Sequence, residues 1–188
     1  MPEEDSITYV PDENGPELAL PPALPAKPFS AEESELLLDE VMETFSDPHE
    51  ALEELLECGS EIFDDVEELL TDRFTAGQFS LLLPILIQIS FAFAPPDTLQ
   101  PELDLDAMEK SFLDLLNGDA NDVHKLIADS KQPHLLETAC SRLQEFNTNV
   151  APKKDRLNPA LFQIAQALLR VVVDAFDTAL RQPGATRA

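Results

Sequence analysis

The run Phe79 to Ala94, FSLLLPILIQISFAFA, dictates what this chain can fold into. Only Ser80, Gln88 and Ser90 break its apolar character. Wound as a helix it is apolar on every side, so other elements must surround it. A transmembrane span needs roughly 20 apolar residues. This run is shorter, contains Pro84, ends at Pro95-Pro96 and has no flanking Lys/Arg cluster to mark a cytoplasmic side. A buried strand with alternating Ile85, Ile87, Ile89, Phe91 and Phe93 is the other rival, but the chain offers no second strand of similar quality to pair with it. The run therefore reads as the central helix of an all-α domain, from about Ala76 to Ala94. Pro84 cannot donate a hydrogen bond to Ser80, which predicts a kink or a late helix start there.

Helix signals surround this run. Ser30-Ala-Glu-Glu33 is a capping box, followed by an apolar face of Leu37, Leu38, Val41, Met42 and Phe45. Asp47-Pro48 opens a second helix with a cap and a proline at its first position, and Gly59 closes it. Ile62, Phe63, Val66, Leu69 and Leu70 give a third, to about Asp72. Beyond the Pro95, Pro96 and Pro101 loop, Asp104 or Asp106 caps the next helix, and Asp106 with Glu109 spells a second capping box. Shorter helices follow at Val123 to about Ser130 and from Pro133, then a polar loop over 147–157 and a last helix from Asn158-Pro159 to about Arg181. The expected architecture is a compact irregular bundle of about 7–8 helices over residues 30–182. Residues 1–29, with seven prolines and many acids, read as a disordered tail. Within it Ser6 to Val10 could dock as an extended clip, and Pro21 to Lys27 has the look of a polyproline ligand or a stiff linker. Residues 183–188 read as loose.

A faint internal repeat runs through Leu52 to Asp72 and Leu113 to Asp129. A real duplication would favour two stacked helical-repeat-like units. The last helix carries its polar residues Gln163, Gln166, Arg170, Asp174, Asp177 and Arg181 at steps of three and four, hence as one narrow stripe. The rest of its circumference is apolar, so it packs against several neighbours or covers a second copy of the chain.

Charge is the strongest functional signal. The 188 residues hold 37 acidic and 12 Lys/Arg side chains, for a net charge of -25. The surplus is concentrated: 23 of the acids fall in residues 1–75, with only Lys27 and Arg73 against them. Phosphate backbones repel such a surface, so direct nucleic-acid binding is not expected. Basic proteins are drawn to it, and long-range steering raises their association rate. Glu50, Glu53, Glu54, Glu57, Glu61, Asp64, Asp65 and Glu68 are the candidate partner-binding residues, because they lie on two successive helices that bury their aliphatic faces.

Catalytic chemistry leaves no comparable signature. His49 and Glu53 are one turn apart and could share a metal, but no HExxH or ExxH pair accompanies them. Asn117-Gly-Asp-Ala-Asn-Asp122 departs from a calcium loop at Asp122, where glycine is needed, and at Ala128, where the bidentate Glu belongs. Cys58 and Cys140 form no CxxC, and the N-terminus has no basic segment followed by an apolar stretch. The sequence thus predicts a cytoplasmic, non-enzymatic helical scaffold or adaptor for a basic protein, with no cofactor and no membrane association. A small carboxylate-dependent metal protein or enzyme, and a nucleic-acid mimic that inhibits a DNA-binding protein, are the alternatives. Homo-oligomerisation would run through the C-terminal helix.

Overall fold

The computed structural model describes residues 18–181, apart from Ser46, Thr71, residues 119–121 and the side chain of Met42. Among these residues the chain is all-α. The helices are α1 (Ala31–Thr44), α2 (Pro48–Glu57), α3 (Ile62–Leu70), α4 (Ala76–Phe79), α5 (Leu83–Phe93), α6 (Leu105–Asn117), α7 (Val123–Ala128), α8 (Pro133–Glu145) and α9 (Pro159–Arg181). A single π-helical turn, Phe146–Val150, extends α8.

Local chemistry sets most boundaries. Ser30 and Glu33 form the reciprocal capping box of α1. Asp47 accepts from the backbone N–H of His49 and Glu50 at the start of α2, and Asp122 does the same for His124 and Lys125 at α7. Gly59 takes the left-handed conformation (φ 80°) that lets the chain leave α2 and turn directly into α3. Two expectations need correction. The stretch from Ala76 to Ala94 is not one helix. Thr75 and Gln78 make a capping box for the one-turn α4, the chain turns at Ser80 to Leu82, and α5 starts at Leu83 with Pro84 in its first turn. That is the late start which the missing proline N–H demands. At α6 the cap is Asp104, which accepts from Ala107 N–H; Asp106 lies inside the first turn and its capping box does not form.

α5 and α9 make the core together. Every residue of α5 from Ile85 to Phe93 is buried, and α9 is buried almost all round between Ala165 and Asp177. Their rings meet at Phe93 and Phe176, stacked with centroids 5.4 Å apart and planes 6° from parallel. α1, α2 and α3 pack on α5, α6 lies along α9, and α8 bridges the two sides. The two repeat-like blocks thus have different neighbours: α2 and α3 sit on α5, whereas α6 packs on α9 and α7 sits between α8 and α9. By length and composition alone, Ala76–Phe93 and Pro159–Arg181 could each cross a membrane. In this fold 56% and 44% of their apolar windows are covered by the chain's own residues.

Residues 18–29 differ from the disordered tail expected over 1–29. They form a strap across the bundle. Ala19 bridges Thr98 in parallel, donating to Asp97 O (3.1 Å) and accepting from Leu99 N (2.8 Å). Phe29 is buried with its ring 6.0 Å from that of Phe93. The strap anchors because Phe29 has an apolar slot to fill, which composition averaged over the segment hides. Ser6 to Val10 lies outside the described residues.

The polar stripe of α9 is not a solvent face. It is a seam between the strap, the turn before α8 and α9 itself. Phe29 N–H donates to Gln132 Oε1 (2.8 Å), and Gln132 Nε2 donates to Asp177 Oδ1 (2.6 Å). Arg181 Nε donates to Asp177 Oδ2 (2.8 Å) and its Nη1 to the Pro25 carbonyl (3.0 Å). One turn earlier Asp174 accepts from Ser130 Oγ and Lys131 N–H, while Arg170 pairs with Asp174 and donates to the carbonyls of Leu126 and Asp129. Asp177 is only 2% exposed. Its replacement by alanine leaves the buried Gln132 amide without an acceptor, which costs about 1–3 kcal/mol. Urea unfolding of Asp177→Ala should register that loss, and Arg181→Ala should also destabilise the fold, because it strips a nearly buried carboxylate of its cation.

Candidate functional site

The acidic residues of α2 and α3 do not form one uniform surface. Glu50, Glu53, Glu57, Glu61, Asp64 and Glu68 are exposed. Glu54 and Asp65 are half-buried. From Pro28 to Asp72 the sequence contains no Lys or Arg, so no cation from these helices themselves intervenes among the carboxylates. His49 Nε2 lies 3.4 Å from Glu53 Oε1, both at the surface. Leu56 stands 54% exposed between Glu53 and Glu57, an apolar spot within the charged run.

Glu54 has structural work. Its Oε1 accepts from Asp97 N–H (3.2 Å) and lies 3.6 Å from Cys58 Sγ, whose thiol donates to it. This holds the loop that carries the strap. Asp97 itself sits at φ 62°, a left-handed conformation that Asp tolerates better than most residues. Burial, followed by the neighbouring Glu54 charge, pushes the Cys58 thiol up to about 11. Burial pushes Cys140 up to about 12. Both cysteines are free and buried, so neither has the electropositive, accessible setting of a nucleophile. Ellman's reagent at pH 8 should leave both unmodified on the folded chain and modify both once urea unfolds it.

Asp65 marks the other departure. It lies on the wall of a cavity of about 310 Å³ enclosed by four separate parts of the chain. The strap contributes Leu20 to Ala23, the α2–α3 turn Ser60 and Ile62, the loop before α6 Gln100 and Leu103, and α9 Phe176 and Leu180. Desolvation raises the Asp65 carboxyl above its usual range, and Glu61, Asp64 and Glu68 push it the same way. A larger groove of about 610 Å³ lies between α6 and α9 beside Met108, Val171 and Ala175, and Glu102 and Ala179 line both spaces. Sequence reading groups Asp65 with the exposed acids because its helical position lies beside theirs. What it misses is the cavity that residues 20–23, 99–103 and α9 build beside this side chain, since nothing local to α3 encodes it.

Among the described residues no three His, Cys, Asp or Glu side chains converge as metal ligands. Asn117 to Asp122 falls partly outside the described residues, and Asp122 serves as the α7 cap. Compared with protein-family models, curated proteins and solved structures, the chain matches none. A raised folded-state carboxyl pKa favours the protonated form, so Asp65 stabilises the fold only below the ordinary carboxylate range and opposes it as pH rises through the folded value. Asp65→Asn should therefore raise the melting temperature at pH 7. The gain should vanish below about pH 3, where Asp65 is protonated in folded and unfolded chains alike.

Proposed function

We propose that this chain is a non-enzymatic interaction module, a helical scaffold that docks a basic protein on the exposed carboxylates of α2 and α3. One observation carries the reading. Six of the eight candidate carboxylates are exposed, five on the consecutive helices α2 and α3 and Glu61 in the turn between them, and this stretch supplies no Lys or Arg. Each exposed ion pair with a partner is weak by itself. A field of like charge still steers a basic partner into encounter and makes its capture salt-dependent. Leu56 offers an apolar contact inside that field, where desolvation can add affinity.

The combined variant Glu53→Lys, Glu57→Lys, Asp64→Lys, Glu68→Lys tests this. All four positions are exposed, so the helical circular-dichroism spectrum should not change. Pull-downs from the source lysate at low salt should lose basic proteins captured by the parent chain, and high salt should release those same proteins from the parent. Capture that persists through both changes would rule out the acidic helices as the docking surface. A captured set made up of DNA-binding proteins would favour the reading in which the carboxylates stand in for phosphates.

A further inference from the structure

The strap over residues 18–29 carries a pattern that neither the core nor the acidic docking surface uses. Its middle reads Pro21-Pro22-Ala23-Leu24-Pro25-Ala26-Lys27. Two residue–proline pairs, Pro21-Pro22 and Leu24-Pro25, stand three positions apart, and Lys27 follows two positions after the second pair. Burial repeats with the same spacing. Pro21 and Leu24 are half-buried, Leu24 against the core, while Pro22, Ala23, Pro25, Ala26 and Lys27 are exposed. A polyproline II helix has about three residues per turn, so residues three apart share an edge. The strap thus rests on the bundle by the edge of Pro21 and Leu24 and turns the edge of Pro22 and Pro25 to solvent. Covering the bundle calls for Leu24 and Phe29, but not for exposed prolines that end in a cation. That cation is the one Lys or Arg in the sequence before Arg73.

We propose that residues 21–27 are a ligand for the aromatic-lined, acid-rimmed groove of an SH3 domain. Such a groove seats a polyproline helix in paired pockets between aromatic rings, one for each residue–proline pair, and an acidic pocket beyond them takes a cation. Pro21-Pro22 fills the first pocket, Leu24-Pro25 the second, and Lys27 reaches the acids. The prolines keep the segment extended before it binds, so little conformational freedom is lost in the complex. Seating both pairs draws Pro21 and Leu24 off the bundle. The segment allows this, because its three prolines have no backbone N–H to give up. The hydrogen bond from Arg181 Nη1 to Pro25 O is exposed, so water replaces it. The anchors lie outside the motif, at Ala19 with its bonds to Asp97 and Leu99, and at buried Phe29. Residues 21–27 therefore lift as a loop between fixed ends. This surface is independent of the acidic docking face, which attracts partners of the opposite charge.

A panel of purified SH3 domains, titrated with the full chain, tests the assignment. The chain contains no tryptophan, so the groove tryptophan of each domain reports binding by its fluorescence without background. Domains that accept a cation after the second proline should bind. Amide shifts on the chain should map to Leu20, Ala23, Leu24, Ala26 and Lys27. The double variant Pro22→Ala, Pro25→Ala should weaken binding about tenfold or more, the scale of losing a central anchor. Both prolines are exposed, so its helical circular-dichroism spectrum should match that of the parent. Lys27→Glu should weaken binding, and Lys27→Arg should retain it. The four-site lysine variant of α2 and α3 should bind at least as tightly as the parent, since it removes like charge that repels an acid-rimmed domain. The docking reading predicts the reverse for its basic partners, so the two stand or fall separately. An absence of binding across the panel would overturn the proposal. So would binding that survives the double proline variant, or amide shifts confined to α2 and α3.

Discussion

The mutual burial of α5 and α9 is the constraint from which the rest of the structure follows. α5 has no face that tolerates water along its middle and α9 has only a narrow polar stripe, so each must be enclosed, and each supplies part of the other's enclosure. The stacked rings of Phe93 and Phe176 sit at that contact. Phe29 extends the same aromatic group from the strap, and Phe45 stacks on Phe91 from α1, with centroids 5.3 Å apart. The shorter helices α1, α2, α3, α6, α7 and α8 are amphipathic covers. Their apolar faces close the core and their charged faces reach solvent, which is why so strong a charge surplus can coexist with a packed interior.

An interior built this way still has to accommodate polar atoms. α9 does so by collecting its polar residues on one edge, where they satisfy the backbone at the α7–α8 turn and at the strap. Arg170 takes the last carbonyls of α7, Asp174 takes the hydroxyl and amide that follow, and Asp177 holds Gln132. These bonds join segments more than 40 residues apart, and through Gln132 and Arg181 they reach back to Phe29 and Pro25. Buried polar groups of this kind specify an arrangement more sharply than apolar contact does, because an alternative packing would leave them unpaired.

Much of this architecture is legible in the sequence, and the limits have physical causes. Caps and punctuation are local chemistry, so Ser30, Asp47, Gly59, Asp122 and Asn158 mark their helix ends directly. The wide apolar arc of α9 is equally plain, and the structure covers it from within the chain, so the arc alone does not call for a second copy. What cannot be seen locally is what an element meets. The stripe on α9 has the spacing of a solvent face, and only the partners at Ser130, Gln132 and Pro25 reveal it as a seam. The strap has the composition of a disordered tail, and Phe29 ties part of it down. Asp65 differs from Asp64 through distant residues at 20–23 and 99–103, which no periodicity within α3 could announce.

The same distinction separates two kinds of carboxylate on α2 and α3. An exposed acid keeps its hydration, contributes to a long-range field and interacts weakly with any single partner. Its effect is collective and fades with salt. A half-buried acid such as Asp65 has given up part of its hydration, so its local environment favours either a proton or a cation at short range. Neither behaviour substitutes for the other. Steering needs several exposed charges and little geometry, whereas a desolvated carboxyl responds to whatever lies within a few ångströms of it. Residues 50–68 supply the first through α2 and α3. Asp65, half-buried in the wall of the cavity that Leu20 to Ala23 also line, belongs to the second kind.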